Sequence, residues 1–222
     1  MQIEKKLKNI SIGFAKTFVF PIGVFIMFLF ISLFMGKSGL LASSFFDMLF
    51  RESVLTTAIA LAIALPLSMG RWDFAIGANI TLTGIIAGNI AINYQLNVIQ
   101  LLVLMIFLAV ILAIFEGLLY INLKIPIVIV SLGVVMVYEA LSGIVFDGIG
   151  LQLYMYRDLT IMARSPYCYL ILAIILFLYY MILNYTKYGY DVNSLSNDPE
   201  LAVSMGVNDR KVVLITYFLI GI

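Results

Sequence analysis

Histidine is absent from the 222-residue sequence, and cysteine occurs once, as Cys168. Without histidine, Ser-His-Asp and Cys-His catalytic groups and the usual histidine-ligated zinc and haem sites are excluded. A single cysteine excludes an internal disulfide and a cluster of cysteine ligands. We therefore expect no catalytic residues of these kinds, no metal and no cofactor, and we interpret Cys168 as a small buried apolar side chain.

Charged residues are scarce as well, at 11% of the sequence, whereas 64% of the residues are hydrophobic. The mean hydropathy is +1.12. These values exclude a soluble enzyme, a secreted disulfide scaffold and a disordered chain, and they indicate an all-α, polytopic transmembrane helical bundle in a lipid bilayer. The 13 basic and 12 acidic residues give a net charge of +1, so no nucleic-acid partner is expected.

Six apolar runs are long enough to cross a bilayer, which requires about 20 mostly apolar residues. A seventh, Val212–Ile222, would cross roughly half of the bilayer at about 1.5 Å per residue. We predict six full spans plus a partial seventh within one transmembrane domain covering residues 1–222. The six runs are Thr17–Met35, Ser53–Met69, Phe74–Ile92, Leu96–Leu123, Ile125–Phe146 and Tyr167–Thr186.

The distribution of lysine and arginine predicts the orientation of these spans. With the N-terminus in the cytoplasm, Lys37, Arg51, Arg157 and Arg164 lie outside, and the other basic residues lie inside. This excess inside agrees with the positive-inside rule. We therefore expect a multi-pass protein of the cell (inner or plasma) membrane whose largest cytoplasmic loop is 187–211.

That loop contains one short helix signal. Asp198 can cap the helix N-terminus, Pro199 suits the first helical position, and Glu200 in the first turn favours the helix dipole. Gly206 suits the C-terminal cap. The resulting helix of about two turns is too short to be stable alone, so it requires a partner surface. An ordinary loop helix lying at the membrane interface is the alternative.

Three stretches of the same loop carry a resemblance. Thr186–Tyr190 reads Thr-Lys-Tyr-Gly-Tyr, Asn197–Ala202 reads Asn-Asp-Pro-Glu-Leu-Ala, and Met205–Val207 reads Met-Gly-Val. This order resembles the coupling loop of ABC-importer permeases of the ribose-type and branched-chain amino-acid-type family. That loop follows Thr-x-Phe-Gly-Arg, then Gly-x-Asn-x-x-Ala-Ala, then a small-residue Gly-Ile. Tyr190 stands where the family often has arginine, and Ser196 where it often has glycine.

Two earlier segments resemble the same family. Gly70–Ala78 is similar to its Gly-Gly-Ile-Asp-Leu-Ser-Val-Gly-Ser, with Gly70, Asp73 and Gly77 in common. Lys124–Gly133 is similar to Lys-Ile-Pro-Ser-Phe-Ile-Val-Thr-Leu-Gly. Together the resemblances cover roughly residues 50–222. The departures in the first segment are Arg71, Trp72 and Ala75.

The resemblance implies the permease subunit of an ATP-binding-cassette importer for a monosaccharide such as ribose. It also implies three partners: an ABC ATPase subunit, an extracytoplasmic substrate-binding protein, and a second permease copy or homologue. The sequence contains no Gly-x-x-x-x-Gly-Lys-Ser/Thr motif, so ATP hydrolysis falls to a separate subunit and the chain is not itself an enzyme. The ATPase-coupling residues implied are Asn197, Asp198, Pro199, Glu200, Leu201, Ala202 and Gly206.

Other functions remain open on the sequence alone. Within the family, the cargo could be branched-chain amino acids or nucleosides. Outside it, the alternatives are a proton-coupled carrier that uses Glu139, a membrane-embedded enzyme and a non-transporting remnant. The resemblance further implies helices beyond Ile222, so we expect the 222-residue chain not to transport by itself. A fragment, a frameshift and a natural short protein all remain possible origins.

Polar groups within the spans are candidates for the substrate path. Asn79 and Thr83 lie four residues apart on one helix face, and Asn89 follows in the same span. Glu139 lies deep in its span, where a carboxylate usually faces a cavity or a partner, and snorkelling to the outer interface is the alternative. Glu116 lies near the inner end of its span, and we interpret it as interfacial.

Overall fold

The computed structural model describes residues 19–34 and 43–222, and these residues form helices with no strand among them. The predicted all-α fold class is therefore confirmed. Between α5 and α6 the chain makes short 3-10 turns at Val145–Gly148, Leu153–Met155 and Ile161–Ala163. The described α-helices are α1 (Val19–Phe34), α2 (Ser43–Ser68), α3 (Ile76–Asn93), α4 (Val98–Leu123), α5 (Ile127–Ile144), α6 (Tyr167–Tyr185), α7 (Lys187–Asn197), α8 (Pro199–Ser204) and α9 (Asp209–Ile220).

The chain divides into two compact units, Met1–Glu52 and Ser53–Ile222. In the first unit, the rings of Phe25 and Phe46 lie 6.4 Å apart between centroids with an interplanar angle of 52°. This tilted arrangement is one that aromatic pairs favour. The second unit holds all the residues of the candidate sites described below.

Five helices in the described part of the chain are long and apolar enough to span a membrane. The described part of the predicted first span, α1, is shorter than these five, so the predicted count of six full spans is not confirmed. The predicted partial seventh span corresponds to α9, a helix of 12 residues that begins at Asp209. The five spans are Ser44–Ser68, Ile76–Asn93, Val98–Leu123, Ile127–Gly148 and Tyr167–Tyr185.

Helix α2 begins earlier than the hydropathy of the sequence predicts. Its first residue is Ser43 rather than Ser53, and its early turns include the charged residues Asp47, Arg51 and Glu52. Charged residues form helical turns readily, but they end an apolar run. Hydropathy therefore located the apolar part of this helix and missed its polar beginning.

A buried core joins α3, α4 and α5 in the second unit. Leu82 of α3 packs with Val130, Val134 and Tyr138 of α5, and all four side chains are buried. The hydroxyl of Tyr138 donates a hydrogen bond of 2.8 Å to the backbone oxygen of Leu112 in α4. This bond satisfies the polar end of an otherwise buried ring and ties α5 to α4.

Helices α4 and α9 approach each other closely because of a glycine. A Cβ atom added at Gly117 of α4 would lie 2.7 Å from Cδ2 of Tyr217 in α9, closer than van der Waals contact permits. Glycine at position 117 therefore leaves room for the buried Tyr217 ring. This contact brings α9, and the loop that precedes it, against the membrane-spanning helices.

Candidate coupling site and translocation path

The ends of α8 match the sequence prediction. Oδ1 of Asp198 accepts a hydrogen bond of 3.0 Å from the backbone N–H of Leu201, and Pro199 occupies the first helical turn. After the helix, Gly206 has φ of +96°, and the N–H of Val207 donates to the oxygen of Ala202 at 3.0 Å. These contacts satisfy backbone groups that the helix itself leaves unpaired. The predicted helix and both of its caps are confirmed.

The residues of α8 differ sharply in exposure. Ala202 is buried in a core cluster that also contains Leu65 of α2 and Leu195 of α7. Three apolar residues in and just after α8 are exposed instead: Leu201 by 54%, Val203 by 51% and Met205 by 79%. A surface this apolar on such a short helix is suited to docking against another molecule. The remaining predicted coupling residues, Asn197, Asp198, Pro199 and Glu200, are also exposed.

Sequence reasoning missed α7, which lies between α6 and α8. Oγ1 of Thr186 accepts a hydrogen bond from the backbone N–H of Gly189 and caps the N-terminus of α7. Tyr188, Val192 and Leu195 point into the core, a spacing typical of an amphipathic helix. This spacing was visible in the sequence, although the polar residues around it concealed the pattern.

Tyr188 connects α7 to α9 through a buried hydrogen bond. Its hydroxyl lies 2.9 Å from Oγ1 of Thr216, and the Thr216 hydroxyl itself donates to the backbone oxygen of Val212 at 2.9 Å. Tyr188 is therefore the donor in the first bond. Burial raises the pKa of Tyr188 to about 12, so the hydroxyl keeps its proton at neutral pH.

An ion pair ties the beginning of α9 to the segment between α2 and α3. Nη2 of Arg71 pairs with Oδ1 of Asp209, and the guanidinium also lies over the Tyr120 ring, 5.6 Å from its centroid. Oδ1 of Asn208 accepts from the N–H of Lys211 at 3.1 Å and caps α9. The loop 187–211 is thus attached to the spanning helices at both of its ends.

A buried acidic pair lies near this attachment, and sequence reasoning did not predict it. Asp73, which precedes α3, lies against Glu116 of α4 and Tyr217 of α9. The interfacial interpretation of Glu116 is wrong, because that side chain is 2% exposed. Burial raises the pKa of the Asp73 carboxyl above its usual range, and the hydrogen bond from the Ala75 N–H partly offsets this effect.

Two predicted path residues, Asn79 and Thr83, meet as their spacing suggested. The Thr83 hydroxyl donates to Oδ1 of Asn79 at 3.0 Å, and Nδ2 of Asn79 donates to the backbone oxygen of Ala109 at 3.2 Å. Asn79 also lines a cavity of about 370 Å³ formed by α2, α3, α6 and the end of α9. The cavity lining is aliphatic except for Asn79 and Tyr179.

The other two predicted path residues lie elsewhere. Nδ2 of Asn89 donates to the backbone oxygens of Ile85 at 2.8 Å and Gly150 at 3.0 Å, so it links α3 to the segment before α6. Glu139 is exposed on α5 and is not among the residues that line the cavity. The structure therefore brings Asn79 and Thr83 together and leaves Asn89 and Glu139 apart from them.

Comparison with known protein families agrees with this architecture. Residues 45–222 match the family described as branched-chain amino acid transport system, permease component. The chain therefore belongs to the branched-chain amino acid and ribose-type family of ABC-transporter permeases. It is a multi-pass membrane protein and a transport component. No curated protein and no solved structure shows significant similarity to the chain.

Proposed function

We propose that the chain is the membrane subunit of an ATP-driven importer and that its α8 docks on a separate ABC ATPase. The observation that carries this proposal is the set of exposed apolar side chains in and just after α8, namely Leu201, Val203 and Met205. The helix has only six residues, yet a cap at each end, Ala202 in the core and the Arg71–Asp209 pair hold it in place. A force applied to α8 would pass through α9 to α4, against which α9 packs.

We further propose that loop 187–211 and the N-terminus face the cytoplasm, where ATP is hydrolysed. The excess of lysine and arginine on that side supports this orientation. The opposite face would receive an extracytoplasmic substrate-binding protein, and a second permease copy or homologue would complete the transport pathway. Membership of the family supports these partners.

For the cargo, we propose a small molecule with an aliphatic side chain, such as a branched-chain amino acid, rather than a monosaccharide. A sugar carries several hydroxyl groups, and each requires a hydrogen-bond partner when it leaves water. The cavity lining offers polar side chains only at Asn79 and Tyr179. The description of the matched family supports the same choice over ribose.

Asn79 has the leading role in this proposal, because it is the predicted path residue that lines the cavity. Thr83 orients the Asn79 amide through their hydrogen bond. Asn89 positions the segment before α6, and we propose that Glu139 faces a second permease subunit or the lipid headgroups. Neither role requires proton coupling, so we expect transport to follow ATP.

Uptake by the complete transporter tests the cargo and the energy source together. The chain is reconstituted with its ATPase, its binding protein and any second permease subunit. We expect ATP-dependent uptake of labelled leucine in preference to ribose. Asn79→Leu should reduce uptake roughly tenfold, as the loss of one buried hydrogen-bonding group would. Glu139→Gln should change uptake little.

Thr83→Val is the matched control, since it removes the same hydrogen bond without changing a cavity-lining residue. It should reduce uptake less than Asn79→Leu. A preference for ribose would contradict the proposed cargo. Loss of uptake on adding an uncoupler at constant ATP would instead favour the proton-coupled carrier.

A further inference from the structure

Three polar side chains from separate parts of the second unit meet in a site that the transport function does not explain. They are Asp73 from the segment before α3, Glu116 from α4 and Tyr217 from α9. Their exposed fractions are 7%, 2% and 1%. Oδ2 of Asp73, Oε1 of Glu116 and the hydroxyl of Tyr217 each lack a hydrogen-bond partner in the described structure. Buried polar atoms are normally paired, so these three oxygens require an explanation.

A count of hydrogen-bond donors and acceptors among these three side chains indicates what would satisfy them. The other oxygen of Asp73, Oδ1, already accepts a hydrogen bond of 2.8 Å from the N–H of Ala75. If both carboxyl groups were ionised, Oδ2 of Asp73 and Oε1 of Glu116 would both be acceptors, and the Tyr217 hydroxyl has a single proton to donate. One additional proton would let one carboxylic acid donate to the other carboxylate while Tyr217 donates as well.

The charges around the pair do not supply a substitute for this proton. The guanidinium of Arg71, two residues before Asp73, is paired with Asp209 and lies over the Tyr120 ring. The titratable side chains that interact with the pair from neighbouring helices include two phenols, Tyr138 of α5 and Tyr217 of α9. The Tyr138 hydroxyl already donates to the oxygen of Leu112. Two buried carboxylates without a cation cannot both remain ionised at low cost.

We propose that Asp73 and Glu116 bind one shared proton, and that this proton holds α9 and the segment before α3 against α4. Without it, two like charges would repel each other at the point where these three elements meet. Because α9 follows α8 directly, the same loss would loosen the attachment of the coupling helix. This last consequence rests on the proposed function, whereas proton binding itself does not.

The sign of the pH dependence follows from the burial of the pair. Burial raises the pKa of Asp73, so protonation of the pair favours the folded state. Stability should therefore be greatest below the carboxyl pKa of the unfolded chain, about 4, and it should fall as the pH rises from there to the pKa of the folded pair. In the purified full chain in detergent, we expect the midpoint of thermal unfolding to drop by roughly 5–10 °C between neutral and alkaline pH.

Glu116→Gln tests the site without changing its shape, because glutamine keeps a donor and carries no charge. The variant should match the wild type at neutral pH and should lose most of the alkaline drop. Asp158→Asn, in the exposed segment between α5 and α6, is the matched control and should keep the full drop. Infrared difference spectra should show a protonated carboxyl band at neutral pH that Glu116→Gln removes and Asp158→Asn retains.

Several outcomes would overturn the proposal. An alkaline drop of equal size in Glu116→Gln would show that the pair does not bind the proton in question. Absence of the infrared band would show that both carboxyls are ionised. Recovery of wild-type stability at alkaline pH on adding sodium or potassium would identify a metal cation as the ligand instead. If these measurements support the shared proton and the wild type keeps its ATPase coupling unaltered at alkaline pH, only the proposed link between the pair and the coupling helix would be contradicted.

Discussion

Substituting Gly189 with alanine should lower the stability of the folded protein by about 1–3 kcal/mol, the usual cost of forcing an extra group into a packed site. A Cβ atom at this position would collide with the backbone carbonyl of Leu183 at the end of α6. Backbone cannot move aside as a flexible side chain can, so α7 would have to shift. Its buried residues, Tyr188 and Val192 among them, would lose contact with the core.

Thermal unfolding of the purified chain measures this effect, with monodispersity on a sizing column as a second readout. Gly133→Ala on α5 is the matched control, since a Cβ added there meets nothing within 4 Å. We expect a clear drop in the midpoint for Gly189→Ala and little change for Gly133→Ala. Equal midpoints for the two variants would contradict the described junction between α6 and α7.

Gly206→Val should reduce the association of the chain with its ATPase roughly tenfold, which corresponds to about 1.4 kcal/mol. The backbone at Gly206 has φ of +96°, a conformation that a β-branched residue adopts only under strain. The C-terminal turn of α8 would therefore rearrange, and the exposed apolar side chains of Leu201, Val203 and Met205 would be displaced. Co-purification of the two subunits from membranes measures the association.

Membrane insertion should stay normal in Gly206→Val, because residue 206 lies outside the spanning helices. Gly133→Val serves as the control for introducing valine, and it should leave ATPase association unchanged. If Gly206→Val bound the ATPase as well as the wild type did, α8 would not be the docking element.

The caps of α8 could be predicted because they are local. Asp198, Pro199 and Gly206 act on backbone groups within a few residues of themselves, so their effect is visible in the sequence. The hydrogen bond between Asn79 and Thr83 was predictable for the same reason, since helical spacing alone places them together. The all-α class followed from composition.

The buried acidic pair could not be predicted in this way. Glu116 meets Tyr217 of α9, and Asp73 reaches both from a third segment, so the site exists only once distant parts of the chain have packed. From the sequence, Glu116 was merely an acid at the end of an apolar run. Hydropathy likewise does not detect α7, because its polar exposed face outweighs its four buried residues.

The most direct test of the central claim, that loop 187–211 meets an ATPase in the cytoplasm, is cysteine labelling in intact cells. Cys168 is first replaced by alanine, and a single cysteine is placed at Ser194 on the exposed face of α7 or, as the outside control, at Asp158. A membrane-impermeant maleimide should label position 158 in intact cells and position 194 only after permeabilisation. Ready labelling of position 194 in intact cells would contradict the orientation, and with it the assignment of α8 to the ATPase.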